Sequence, residues 1–311
     1  MTTPEQIAAD LARLEADVST RLDIAYSTLD AAATELAAGI RKAHNDLAAL
    51  TSPPASPTVL AGPSWSPSEL GPLDEATIHA GHNVDAIHLT EGIQNLVAVP
   101  EGIRWHAKGQ PAHVQASRAQ AWLPIPELDT ITETFHFTFE PSFDFGAQAK
   151  FGYGLMGYHS GQRFPGGGYC HGSDWLIRPM WHAFGGQPLR FALYIYSTGD
   201  DKARLDGQNW QSDCIGGGYR RLVRLGGYQP TEDTAYTWQL TIHRNPASNQ
   251  ADITVQISDD HTVLVDWEAM VLLNSPANRT PIICSYGGNN IADGPHHDTS
   301  VLLSDLEVLA G

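Results

Sequence analysis

The residues of this chain best suited to chemistry fall within three strand-like stretches. KFGYGLMGY at 150–158 is followed by DWLIRPMWHAFGG at 174–186 and by RFALYIYS at 190–197. Successive side chains of an extended strand point to opposite faces, so Arg178, Met180 and His182 share a face. Tyr194 and Tyr196 share one opposite the apolar trio Phe191, Leu193 and Ile195, and Gln148 and Lys150 do the same on an earlier strand. If these strands are neighbours, a lysine, an arginine and two tyrosines converge on one exposed, concave surface.

That set fits β-elimination on a uronate. The C5 proton of a uronic acid is weakly acidic, and the adjacent carboxylate makes its removal harder. A fixed cation such as Arg178 neutralises that carboxylate and stabilises the enolate-like intermediate. A tyrosine or the lysine then takes the proton, and a tyrosine returns one to the leaving oxygen. A free tyrosine titrates near about 10, and the neighbouring positive charges are expected to lower that value. The same residues also suit a simpler role, a sugar-stacking platform without catalysis. Arg118 and Gln120, on what reads as a neighbouring strand, join Gln148 and His182 as candidate substrate contacts. Arg220, Arg221 and Arg224, with Lys202 and Arg204, form a local basic cluster. It either steers an anionic glycan or belongs to a solvated set of loops.

The elements that would hold these residues are strands. Phe135, Phe137 and Phe139 alternate with polar partners, as do Trp238, Leu240 and Ile242, and Ile253, Val255 and Ile257. Turn pairs such as Asn245-Pro246 and Asp259-Asp260 separate the runs. This pattern predicts a mainly β fold, a two-sheet antiparallel jelly-roll sandwich over residues 73–311. A long N-terminal coiled-coil helix is expected to precede it. Over residues 1–50, Ile7, Leu11, Leu14, Val18, Leu22, Ala25, Leu29, Ala33, Leu36, Ile40 and Leu47 form an apolar stripe with an 11-residue period. About 3.67 residues per turn keeps that stripe nearly straight. Such a helix either forms an oligomerisation stalk, the favoured reading, or folds back on its own domain. Residues 51–72 carry six prolines and read as an extended linker or collar.

Composition removes several classes. The 311 residues carry a net charge of -17, a poor match for nucleic acid, which needs a basic footprint. No apolar run is long enough for a membrane-spanning helix, and the first residues lack the pattern of a secretory signal. Cys170, Cys214 and Cys284 have no paired spacing and read as free, buried thiols rather than disulfides or zinc ligands. There is no nucleophile elbow, phosphate-binding loop or metalloprotease motif. Gly166–Gly168 and Gly216–Gly218 read as loop glycines and His296-His297-Asp298 as a solvated loop, so no metal and no cofactor is expected.

These motifs together resemble polysaccharide lyase family 14, whose members include alginate and glucuronan lyases built on a β-jelly roll. The family pattern runs from a lysine entering a glycine-rich stretch, through Ser-x-Arg-x-Met-Trp, to Tyr-x-Tyr. Here Lys150 precedes Gly152 and Gly154, Arg178-Pro179-Met180-Trp181 matches the middle motif, and Tyr194-Ile195-Tyr196 the last. Trp238, the run 252–266, SYGGNN at 285–290 and DTSVLLSDLEV at 298–308 echo the closing strands. The resemblance covers about residues 100–311. It implies Lys150, Arg178, Tyr194 and Tyr196 as catalytic residues. Two departures stand out. Leu176 replaces the family serine, and the glycine stretch lacks the family's usual proline. They imply either a different substrate or a head that binds without cleaving.

The alanine-rich, lysine-poor composition resembles minor tail proteins of bacteriophages that infect actinobacteria. That resemblance implies a receptor-binding tail protein in the virion, a homotrimer joined to other tail proteins through its stalk. It would act on a host cell-surface polysaccharide. The alternatives are a lectin-like receptor-binding head and a bacterial lyase that oligomerises through its helix. Sedimentation of the full chain and of a form lacking residues 1–50 separates stalk from fold-back helix. A trimer lost only on truncation is expected, and a monomer in both cases contradicts the stalk.

Overall fold

The structure, a computed structural model, describes residues 57–84, 90–109, 117–161, 172–183, 188–198, 210–213, 219–260, 262–286 and 294–311. The N-terminal helix expected over 1–50 lies outside the described residues. So do Cys170, Cys214, Lys202, Arg204 and the two triple-glycine loops.

Among the described residues, two nine-stranded antiparallel sheets carry the fold. The first has the order β16 (Val263–Leu272), β15 (Gln250–Ser258), β14 (Ala235–Asn245), β7 (Thr130–Phe139), β18 (Thr299–Ala310), β5 (Gly102–Ala107), β4 (Leu96–Val99) and β2 (Gly71–Pro72). A further strand, β1 (Thr58–Gly62), also pairs with β18. The second has the order β12 (Trp210–Asp213), β13 (Tyr219–Arg224), β11 (Arg190–Ser197), β10 (Trp175–His182), β8 (Gln148–Lys150), β17 (Ala277–Tyr286), β6 (Ala119–Leu128) and β3 (Thr90–Glu91). Here β9 (Leu155–Gly157) bridges β10 and β17. One helix, α1 (Glu75–His82), starts where the Asp74 carboxylate accepts a hydrogen bond from the Thr77 amide at 2.8 Å.

The inward residues of both sheets make one aromatic core. Phe137 on β7 lies 4.9 Å from Phe151 between ring centroids, and Phe139 lies 5.2 Å from Trp181 on β10. Edge-on contacts of this kind add about 0.5–1.5 kcal/mol each beyond the area they bury. The indole nitrogens of Trp105, Trp175 and Trp181 donate to the carbonyls of Ser117, Ser275 and Phe145, so burying these rings strands no donor.

Residues 57–72, read from sequence as the end of a linker, instead complete the first sheet. Thr58 to Gly62 run antiparallel to β18, Leu60 is buried, and Trp65 donates from its indole to the Gly102 carbonyl at 2.7 Å. Proline density disfavours a long α-helix here, yet an edge strand tolerates prolines at its ends. The short apolar pair Val59-Leu60 was too brief to register as a strand.

Glu133 is an inward position that is not apolar. It stands on β7 opposite Leu240 and Val308, fully buried, and neither carboxylate oxygen has a hydrogen-bond partner among the described residues. Burial pushes its pKa well above the ordinary 4.5, because loss of solvent disfavours the charged carboxylate. Because the folded value is raised, the native state gives up stability as pH rises from the unfolded value toward the folded one. Glu133→Gln is therefore expected to flatten the pH dependence of the thermal midpoint above about pH 4.5 and to gain about 1–3 kcal/mol there. Parallel melting curves for both proteins at acid and neutral pH check this, and a gap that does not widen with pH would contradict it.

Candidate active site

Alternation on β10 sends Trp175, Ile177 and Trp181 into the core and leaves Leu176, Arg178, Met180 and His182 on the other face. The register then fixes what stands beside them. Arg178 is opposite Tyr194, which is opposite Leu222. Met180 is opposite both Lys150 and Ala192, and Lys150 is opposite Ser285. Leu176 is opposite Met156 and Tyr196, and Tyr196 is opposite Arg220. Trp122, Met156, Leu176, Met180, Ala192, Tyr194, Tyr196, Leu222 and Ile283 form a second apolar cluster, separate from the core, that floors this face. The glycine-rich link between β8 and β9 has a steric cause. Gly152 has φ of +76°, and a Cβ there would meet the Phe135 ring at 2.7 Å.

The four residues expected to carry chemistry meet on this floor. The Lys150 ammonium lies 5.5 Å from the centre of the Tyr194 ring and the Arg178 guanidinium 5.1 Å from the same ring. Tyr196 donates its hydroxyl to that of Tyr194 at 3.3 Å, and the two rings stand edge to face at 5.1 Å. Arg178 is 7% exposed and its Nε has no partner among the described residues.

The electrostatics differ from expectation in one respect. Burial, reinforced by the charges of Arg178, Arg118 and Arg220, pulls the Lys150 amine down to about 7. Tyr194, expected to be lowered by its cationic neighbours, is instead raised. Burial is the largest cause, followed by Tyr196, and the opposing pull of Arg178 and Arg220 is too weak to reverse them. At 9% exposure, loss of solvent outweighs attraction to two cations. The lysine is thus the group able to give up its proton near neutrality, and Tyr194 is the group that keeps its own.

The remaining predicted residues divide. Gln148 and His182 are opposite each other at one end of the face, next to Arg190. Gln120 is opposite Ile283, and Arg118, just before β6, reaches Lys150 electrostatically. Arg220 is on the face beside Tyr196, with Arg224 opposite Ala192. Arg221 is not. It stands opposite Ile195, is 1% exposed, and covers the Tyr219 ring at 5.0 Å. Grouping arginines by their run rather than by strand parity placed it wrongly. Leu176, in the position of the expected serine, is buried against Met156 and Tyr196 and contributes apolar floor only.

Elsewhere, His296, His297 and Asp298 are exposed, as expected of a solvated loop, with His296 3.0 Å from Asp144 and Asp298 2.8 Å from Lys108. Cys284 is a buried free thiol, raised by burial to about 12. No described helix is long and apolar enough to cross a membrane. Ser285, Arg279 and Tyr158 escaped the sequence reading, although parity along β17 and β9 would have placed them on this face.

If the charge of Arg178 depresses the amine, Arg178→Met raises the Lys150 titration midpoint from about 7 part of the way toward 10.5. Nuclear magnetic resonance of the isotopically methylated amine reads this directly. An unchanged midpoint would separate the two groups.

No protein-family model matches the chain, and no curated protein matches it in sequence. Solved structures do match. A marine PL-14 alginate lyase from Aplysia kurodai superposes with a TM-score of 0.66 at 16% identity, covering 82% of this chain and 100% of that one. A variant of alginate lyase Aly36B with a lysine and a tyrosine replaced by alanine, in complex with alginate tetrasaccharide, gives 0.60 at 15%, covering 83% and 98%. Alginate lyase vAL-1 from a Chlorella virus gives 0.51 at 14%, covering 77% and 98%. At these identities the likeness establishes the fold, the antiparallel jelly-roll sandwich that these lyases share.

Proposed function

We propose that the open face of the second sheet binds an anionic, uronate-bearing polysaccharide and cleaves it by β-elimination. The observation that carries this reading is the meeting of Lys150 and Arg178 over one tyrosine ring, itself hydrogen-bonded to a second. Charge supports it. Arg118, Lys150, Arg178, Arg190, Arg220, Arg224 and Arg279 share this face, out of 18 lysines and arginines in a chain of net charge -17. None of the positions of β8, β10, β11, β13 and β17 that point this way is acidic. A polyanion is drawn to such a surface, and a neutral glycan gains nothing from it. In two alginate-bound structures of this fold a lysine and a tyrosine, or a lysine and a methionine, are replaced by alanine. Here Lys150 is opposite Met180, and its ammonium lies 5.5 Å from the centre of the Tyr194 ring.

In this mechanism Arg178 pairs with the uronate carboxylate and withdraws its charge from C5. The neutral Lys150 amine takes the C5 proton, and the electron pair passes into the carboxylate-stabilised enolate. Collapse of the enolate forms the C4–C5 double bond and breaks the C4–O bond, while the Tyr194 hydroxyl gives its proton to the departing oxygen. Tyr196 holds the Tyr194 hydroxyl in place. Proton exchange with solvent returns Lys150 and Tyr194 to their starting forms.

A second reading is a lectin-like head that binds without cleaving, favoured by Leu176 closing the floor against Tyr196 where the family serine would stand. In either form we place the protein in a bacteriophage virion. There it is a trimeric receptor-binding tail protein whose residues 1–50 join other tail proteins while the head engages a host-surface glycan. The 11-residue apolar stripe and the alanine-rich composition support that placement.

Elimination needs the unprotonated lysine, so kcat/KM should rise with pH through about 7. Lys150→Ala and Tyr194→Phe should each lower kcat by about 10²–10⁴-fold with glycan affinity retained. The ultraviolet absorbance of the unsaturated product, followed with uronate polymers and host wall extract, measures both effects. Saturable binding with no absorbance rise would leave the lectin reading, and no binding would remove both.

A further inference from the structure

At the far end of the same face, Arg279 lies within electrostatic reach of Tyr158, whose ring packs edge-on against Trp122, and the elimination chemistry does not use this group. Arg279 is directly opposite Met156, which is directly opposite Leu176. Four residues of β10 separate that row from the Met180–Lys150 pair, about 13 Å at ~3.3 Å per residue. That distance exceeds one pyranose ring. Trp122 and Tyr158 stand beside the row with ring centroids 5.4 Å apart at 63°.

The group is held rigidly. The Asn278 side chain clamps the Tyr158 backbone from both sides, accepting from its amide at 3.0 Å and donating to its carbonyl at 2.9 Å. Arg279, the next residue, donates from Nη1 to the Asn278 carbonyl at 2.6 Å, which fixes the plane of its guanidinium. Burial and Asp174 push the Tyr158 phenol up while Arg279 pulls the other way, so cation and ring are within electrostatic reach. Arg279 is half-buried, and its Nε has no hydrogen-bond partner among the described residues. A planar cation fixed on one side, beside a half-buried phenol ring that the buried Trp122 backs edge-on, suits an acidic pyranose, its carboxylate on the fork and its ring against Tyr158.

We propose that Arg279 and Tyr158, with Trp122 buried behind the phenol ring, form a distal subsite for a second uronate of the same polysaccharide, which runs from the Lys150–Arg178 centre toward β9 and β17. This inference rests on the reading of that centre as a uronate site. It assigns the protein a preference for oligosaccharides long enough to engage both ends.

The test compares uronate oligosaccharides from trimer to octamer on the full chain. Wild type should gain kcat/KM with length until both ends are occupied. In Arg279→Gln the ratio of long-chain to short-chain kcat/KM should fall about tenfold, as expected for one lost charge-assisted pair. Arg279→Lys should restore only part of it, and Tyr158→Leu, which leaves the cation, should reproduce the loss in part. If the head binds without cleaving, the same ratios are taken from dissociation constants. An Arg279→Gln ratio equal to that of wild type, or an equal loss at every length, overturns the distal subsite and leaves the central reading standing. A wild-type protein that neither cleaves nor binds any length overturns both.

Discussion

Holding two cations in a partly dry surface against one tyrosine ring is the demand that the rest of this molecule meets. Lys150 and Arg178 lose much of their hydration, and the nearest compensation is the face of Tyr194. Such an arrangement relaxes unless the strands beneath it cannot shift. The aromatic core supplies that resistance. Every residue that presents the site is flanked in sequence by one locked into the interior: Arg178 by Ile177, Tyr194 by Leu193 and Ile195, Lys150 by Ala149 and Phe151. A one-residue slip of β10 would drive Trp181 outward and Arg178 into the core, so register and chemistry stand or fall together.

The cost of dehydration is also what divides the labour between lysine and tyrosine. The same removal of water lowers an amine and raises a phenol, because in each case the charged form is the one disfavoured. Two groups of nearly equal ordinary pKa are thereby driven apart, one toward neutrality and one away from it. The acid and base roles proposed for them follow from shared surroundings, with no separate device for each.

Much of the fold was legible in the residues. Period-two alternation at Phe135–Phe139, Phe191–Ile195 and Trp238–Ile242 marked strands that all prove to be core strands. The same alternation grouped Lys150, Arg178, Tyr194 and Tyr196 before any pairing was known. What alternation within one strand does not supply is which strands lie side by side, and the misjudged features come from there. Arg221 reads as basic and local until its partner Ile195 shows that it faces inward. Residues 58–62 read as linker because their strand character depends on β18, more than two hundred residues away. The direction of the Tyr194 shift depended on depth of burial, which only neighbouring strands determine. Glu133, within an alternating apolar run, gives no sequence signal of its isolation at all.

The second sheet has an apolar layer on each side, one joined to the aromatic interior and the other lying under the cationic face. Because even and odd positions contribute to different layers, the outward set is free to diverge while the inward set preserves the architecture. Leu176 is an instance, an outward position that adds only apolar floor while its neighbours Trp175 and Ile177 stay in the interior. A scaffold partitioned in this way lets the outer surface change its chemistry while foldability stays nearly constant.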